Sequence, residues 1–224
     1  MSAILEAQNL AYISAPKCAC SSVKDLIFRV ENNCNFNKLR TERGGIRFQI
    51  SGRPIYLHNF YPAIPYTEQP QHLLKKLNKF CVVRNPLNRF TSCYRNRVLR
   101  FGALKAEKIA QLEIDAPSDP DLNQFVEHLD EYTKAPQIRH HKLPLTHFLG
   151  DSADSYDRIF NLKTLHQLPA YLKQHFGRTR SLRHLQTSEH ERTPKTSTNA
   201  LSSSSIQKLE NYYSEDFRCF SQYF

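Results

Sequence analysis

Ala15-Pro16-Lys17-Cys18-Ala19-Cys20-Ser21-Ser22-Val23-Lys24 sets a lysine, small residues and two hydroxyls where a short apolar run gives way to a helical pattern. The start of a helix offers unpaired N–H groups and a positive dipole end, which together attract anions. Small residues at 18 to 22 let an anion approach the backbone, Ser21 and Ser22 add hydroxyl donors, and Lys17 adds charge. The segment lacks glycine, and no Gly-Lys pair occurs in the chain. It is therefore not the G-x-x-x-x-G-K-[ST] loop of ATPases and GTPases, and a nucleotide kinase is poorly supported. An ordinary strand–turn–helix junction with a serine cap would use the same residues.

A second element runs Val82-Val83-Arg84-Asn85-Pro86-Leu87-Asn88-Arg89-Phe90-Thr91-Ser92-Cys93-Tyr94-Arg95. Arg84 leaves the end of an apolar strand, the edge at which α/β sheets place ligands. Ser92 falls on the following helix, away from its apolar stripe. A planar guanidinium fork with a nearby hydroxyl suits a terminal phosphate. Arg89, Arg95, Arg97 and Arg100 also crowd this helix, so a solvated arginine-rich face is the competing reading.

Positioning these residues requires strands and helices in alternation. Leu10 to Ser14 is strand-like and Pro16 stops it; Val23, Leu26, Ile27 and Val30 then recur at helical spacing, predicting a helix over 19–30. Residues 46–50 and 54–60 read as strands around Ser51-Gly52-Arg53, a hairpin pattern, with His58 near a strand end. A short helix over 70–78 precedes the strand Phe80 to Val83. Asn85-Pro86 then caps a long helix whose face is Leu87, Phe90, Tyr94, Val98 and Phe101. Further helices are predicted from Leu122, Leu165 and Ser205, a strand at Arg158 to Leu162, and loops over 132–147 and 178–205. The pattern implies an α/β fold with a mainly parallel sheet flanked by helices, in a single domain over residues 1–224.

The 224 residues, 40% hydrophobic and 23% charged, can bury one sizeable core and are not those of a disordered chain. A surplus of 31 Lys+Arg over 21 Asp+Glu, net +10, calls for an anionic partner without choosing it. No apolar run approaches a membrane span, and no secretory signal pattern is visible at the N-terminus. Six cysteines without C-x-x-C pairing suit thiols in a reducing compartment, so the expected location is cytoplasmic.

The two elements in this order, P-K-x-A-C-S-S-x-K at 16–24 and V-R-N-P-x-x-R-x-x-S-x-Y-R at 83–95, resemble the paired signatures of sulfotransferases. These enzymes use 3′-phosphoadenosine 5′-phosphosulfate (PAPS). The A-C-S-S form and Arg89 are closest to the carbohydrate branch, with its 2-O- and chondroitin-type members. The resemblance implies a fold like that of P-loop nucleotide kinases. It also implies that Lys17, Cys18, Ala19, Cys20, Ser21 and Ser22 cradle the 5′-phosphosulfate, and that Arg84 and Ser92 hold the 3′-phosphate. One departure is that Val23 stands where the family often has Trp.

Sulfuryl transfer to a hydroxyl needs in-line positioning, a base and stabilisation of the leaving phosphate, which falls to Lys17. No metal is required. His58 is the candidate base, since the resemblance puts a catalytic histidine between the two motifs. His140, His141 and His147 are its rivals, and their spacing fits no common zinc pattern. Arg192 and Lys195 belong to a late polar loop, for which the resemblance implies closure over the nucleotide and composition alone a solvated linker. The expected acceptor is a glycan hydroxyl. A non-catalytic basic module binding nucleic acid or another polyanion is the alternative, although no RNA-reading signature is present and the cationic residues are spread out.

Overall fold

The computed structural model describes residues 2–36, 49–50, 53–54, 57–185 and 196–224, in two compact units. In chain order, the strands are β1 Ala3–Leu5, β2 Leu10–Ile13, β3 Gln49–Ile50, β4 Arg53–Pro54, β5 Asn78–Val82 and β6 Arg158–Phe160. The helices are α1 Cys20–Asn32, α2 Leu57–Phe60, α3 Gln71–Leu74, α4 Pro86–Cys93, α5 Ala106–Gln111, α6 Leu122–Glu127, α7 Leu129–Tyr132, α8 Pro136–Lys142, α9 Leu145–Leu149, α10 Leu168–Phe176, α11 Ser203–Tyr212 and α12 Ser214–Phe220. Among the described residues no helix is long and apolar enough to cross a membrane.

The first unit, residues 1–83 with 148–187, is built on a four-stranded sheet of order β1-β2-β5-β6. β2 and the Phe80–Val82 end of β5 are continuous buried apolar runs, as parallel strands covered on both faces must be. β2 pairs parallel with β5, Ile13 opposite Cys81, and β5 pairs parallel with β6. The rings of Tyr12 and Phe80 stack across the pair at 5.0 Å. The edge strand β1 is antiparallel, turned back by a single 3-10 turn that Asn9 closes in the left-handed region. This strand is too short to announce itself by alternation. Helix α10 covers the sheet through Tyr171, 5.4 Å from Phe80 and 5.6 Å from Phe160. The mainly parallel α/β architecture read from the alternating pattern is thus observed. The hairpin is present as the antiparallel pair β3 and β4.

The second unit, residues 84–147 with 188–224, is helical. Its core centres on Phe125, whose ring meets Phe90 at 5.1 Å, Tyr94 at 5.6 Å and Tyr132 at 5.7 Å. The Pro/Asp-rich stretch before α6 is tied down by Tyr94 Oη donating to the Pro120 carbonyl and Tyr132 Oη to that of Pro117. Asp121 and Gln124 form a capping box at the start of α6. Ser202 caps α11, as the serine run predicts.

Several elements differ from expectation, among them the expected strand over 54–60, of which Leu57–Phe60 is helix α2. The long helix after Pro86 changes to π-helical winding over Tyr94–Arg100, with the Phe101 N–H reaching back five residues to Asn96. The wider turn rotates Phe101 off the apolar stripe, and it is 57% exposed between the guanidinium groups of Arg97 and Arg100. The expected loop over 132–147 contains α8 and most of α9. Its helices start without side-chain caps or behind a proline, and their buried faces, Ile138 and Leu145, are too short to show a period. The last helix breaks at Tyr213, a fully buried anchor whose hydroxyl bonds the Lys142 carbonyl.

Candidate active site

The chain leaves β2 into a loop that carries two non-glycine residues in the left-handed region, Lys17 at φ 66° and Ala19 at φ 54°. Each costs about 1–2 kcal/mol, and such strain concentrates where a loop binds something. Ala19 is also the N-cap of α1, and no side chain caps the helix. Cys18 is fully buried. α1 is held rigidly beneath the loop: Val23, Leu26 and Ile27 are fully buried, and Asp25 pairs with Arg29 at 2.8 Å inside the unit. Arg29 in turn donates to the Ser181 carbonyl.

Ser21 and Ser22 have separate partners. The Ser22 hydroxyl accepts the N–H of Leu185 at 3.2 Å, tethering the segment that follows α10. Ser21 Oγ lies 2.9 Å from His58 Nε2. The other ring nitrogen, Nδ1, lies 3.4 Å from Lys24 Nζ, one turn further along α1. His58 is exposed, whereas Lys24 is 1% exposed and burial holds its amine below the ordinary lysine range.

His58 belongs to helix α2, not to a strand end as the apolar run before it suggested. Leu57, Phe60 and Tyr61 fall at i, i+3 and i+4, and the Tyr61 N–H closes a turn on the Leu57 carbonyl. Phe60 sets its edge against Phe28 and Phe36, and Tyr61 Oη donates to Glu31 at 2.7 Å. These contacts fasten α2 along α1, and they carry the imidazole to the first turn of that helix.

The second motif folds locally as its residues require. Asn85 caps α4 by accepting the N–H groups of Leu87 and Asn88, with Pro86 in the first helical position. Arg84 and Ser92 are half-buried. Arg89, by contrast, is fully buried and donates to the carbonyls of His141 and Leu143 beneath the ring of Tyr213. It acts as a clamp on α8. Asp216 completes the clamp by accepting the N–H groups of Leu145 and Thr146 at the start of α9.

His141 is differently placed from His58. Arg97 Nη2 lies 2.8 Å from its Nε2, and its Nδ1 lies 2.7 Å from the Gln137 carbonyl. Arginine only donates and a carbonyl only accepts, so Nε2 is the acceptor and Nδ1 carries the proton. The lone pair a base would need is already engaged. His140 packs edge-on against His141 at 5.2 Å. Among the described residues no cluster of three or more His, Cys, Asp or Glu is placed to hold a metal ion. Arg192 and Lys195 lie outside the described residues.

Residues 2–223 match the family model described as the sulfotransferase family. The chain belongs to the sulfotransferase family. Neither a curated protein nor a solved structure matches it. For a sulfotransferase the general reaction is sulfuryl transfer, and the α/β architecture agrees with the family match. The partner of His58 was not legible in the sequence. Lys24 ends the first motif, yet nothing in its spacing connects it to a histidine beyond the β3–β4 hairpin. The Arg97–His141 pair was equally hidden, because the π-helical turn that orients Arg97 has no sequence signature.

Proposed function

We propose that this sulfotransferase moves the sulfuryl group of PAPS to a hydroxyl of a carbohydrate acceptor, with residues 1–224 acting as one catalytic domain. The observation that carries the reading is the meeting of His58 Nε2 with Ser21, at the uncapped start of α1 and beside a strained loop bearing Lys17. The loop fits the phosphosulfate: it joins the start of α1, where no side chain caps the helix, to the Ser21 and Ser22 hydroxyls and a lysine. Arg84 and Ser92 fit a 3′-phosphate, as the resemblance of the second motif implies. Arg192 and Lys195 would close over the nucleotide.

PAPS supplies an activated sulfuryl group on a phosphate leaving group. His58 Nε2 takes the proton of the acceptor hydroxyl, whose oxygen forms the new S–O bond as the bond to the phosphate oxygen breaks. Lys17 and the loop N–H groups stabilise the charge that the leaving phosphate acquires. Aimed dipoles at a helix start act without reorganising, which is where most of the rate enhancement in such transfers arises. A cytoplasmic location belongs to the same reading, on the ground that the six cysteines carry no C-x-x-C pairing.

The test is transfer of label from PAPS to a panel of glycans, lipids and small alcohols, with adenosine 3′,5′-bisphosphate titrated in parallel. Saturable micromolar nucleotide binding and label on a glycan support the reading. Binding confined to long polyanions, steeply weakened by salt, would replace it with a non-catalytic module.

A further inference from the structure

We infer that Lys24 is a positioning residue for His58: its side-chain nitrogen holds Nδ1 and so decides which ring nitrogen can accept a proton at Ser21. The inference rests on the reading of His58 as the base. Its ground is geometry. Both ring nitrogens are engaged by α1, Nε2 at 2.9 Å from Ser21 Oγ in the first turn and Nδ1 at 3.4 Å from Lys24 Nζ in the next. Lys24 is almost wholly buried, and among the described residues no carboxylate lies within ion-pair distance of it. Its neighbour Asp25 is taken by Arg29.

The consequence follows from donor and acceptor arithmetic. An ammonium can only donate, so a charged Lys24 would occupy the Nδ1 lone pair. The neutral ring would then carry its proton on Nε2 and could not take one from an acceptor hydroxyl. A neutral amine has a lone pair and accepts Nδ1–H, which leaves Nε2 with the lone pair a base needs. Burying an ammonium beside an imidazole and no anion is costly, so the protein interior favours the second arrangement. Burial lowers the proton affinity of Lys24, and the thiol of Cys20 on the same helix opposes that shift. On α10, which packs against α1, Lys173 is exposed and His175 bonds the Gln8 carbonyl. When the hydroxyl proton reaches Nε2, the ring becomes an imidazolium whose Nδ1–H still has its acceptor. Lys24 thus does for His58 what a carboxylate does in other acid–base pairs, without placing a negative charge beside an anionic donor.

The experiment uses the full chain and three variants, Lys24→Met, Lys24→Arg and His58→Ala, with ¹⁵N spectra of the imidazoles. Lys24→Met keeps the volume and should fold. Its kcat should fall about tenfold or more, within the span of a general base, while KM for PAPS holds. Lys24→Arg, a permanent donor, should lose as much. The wild-type His58 spectrum should show the proton on Nδ1, moving to Nε2 in Lys24→Met. A wild-type proton on Nε2, or an unchanged kcat in Lys24→Met beside an impaired His58→Ala, overturns the inference alone. Unimpaired His58→Ala overturns the base reading, and the spectra then decide separately whether Lys24 orders the ring.

Discussion

Arg97 Nη2 meets His141 Nε2 at 2.8 Å, and this contact sets His141 apart from His58, the histidine that the sequence already ranks first. It consumes the lone pair of His141, whereas Nε2 of His58 faces a serine hydroxyl that an acceptor hydroxyl can replace. The His58→Ala enzyme should therefore lose about 10²–10⁴ in kcat. The His141→Gln enzyme should keep a turnover at least about tenfold higher than that of His58→Ala, because it lacks no base. Steady-state kinetics at saturating PAPS measures both.

Nucleotide affinity should depend on both motifs. Lys17→Ala and Arg84→Ala each remove a charged donor, and a hydrogen bond to a charged group is worth about 1.5–3 kcal/mol. Each variant should weaken adenosine 3′,5′-bisphosphate by roughly 10- to 100-fold in calorimetric titration. Their melting temperatures should stay near that of the parent, since both side chains are only partly buried.

Arg89 should matter to stability. It is fully buried, and its guanidinium holds down a carboxyl of Asp216 that burial otherwise pushes up. Arg89→Ala leaves that carboxylate uncompensated, at about 3 kcal/mol or more, which is roughly 6–12 °C in melting temperature for a chain of this size. The sign with pH is definite. A carboxyl with a raised folded pKa is stabilising when protonated, below its unfolded value, and that stability is lost as pH rises through the folded value. The deficit of Arg89→Ala should be largest near neutrality and shrink as falling pH protonates the variant's Asp216, its electrostatic part vanishing once pH is below the wild-type folded value, itself raised by burial.

Lys24 carries the opposite prediction. Its folded pKa is lowered by burial, so the folded state resists protonation and the wild type is penalised at neutral pH. The penalty eases as pH rises toward the unfolded value of about 10.4. Lys24→Met should therefore melt above the wild type at pH 7, and the gap should narrow as pH approaches 10. A melting series over that range tests it. A catalytic loss together with a stability gain would mark a residue kept for function.

Much of the fold was legible because it is local. The runs Leu10–Ile13 and Phe80–Val82 declare buried parallel strands, Val23-Leu26-Ile27-Val30 declares α1, and Asn85-Pro86 declares the start of α4. β1 escaped notice because three residues cannot show alternation. α8 and α9 lie in a stretch that reads as a loop because they are held by Arg89, Tyr213 and Asp216, residues distant in the chain.

For the candidate site, residue types at fixed spacing along one segment were enough to single out the loop at 15–24 and the second motif at 83–95, and to raise the expectation of an anionic ligand. Backbone donors, small side chains and a helix start act within a few residues of one another. What the tertiary structure alone decided was which group faces each histidine. Which ring nitrogen bears a proton depends on the group that faces it, and for His58 and His141 those groups are Lys24 and Arg97, brought there by packing across 34 and 44 residues of chain.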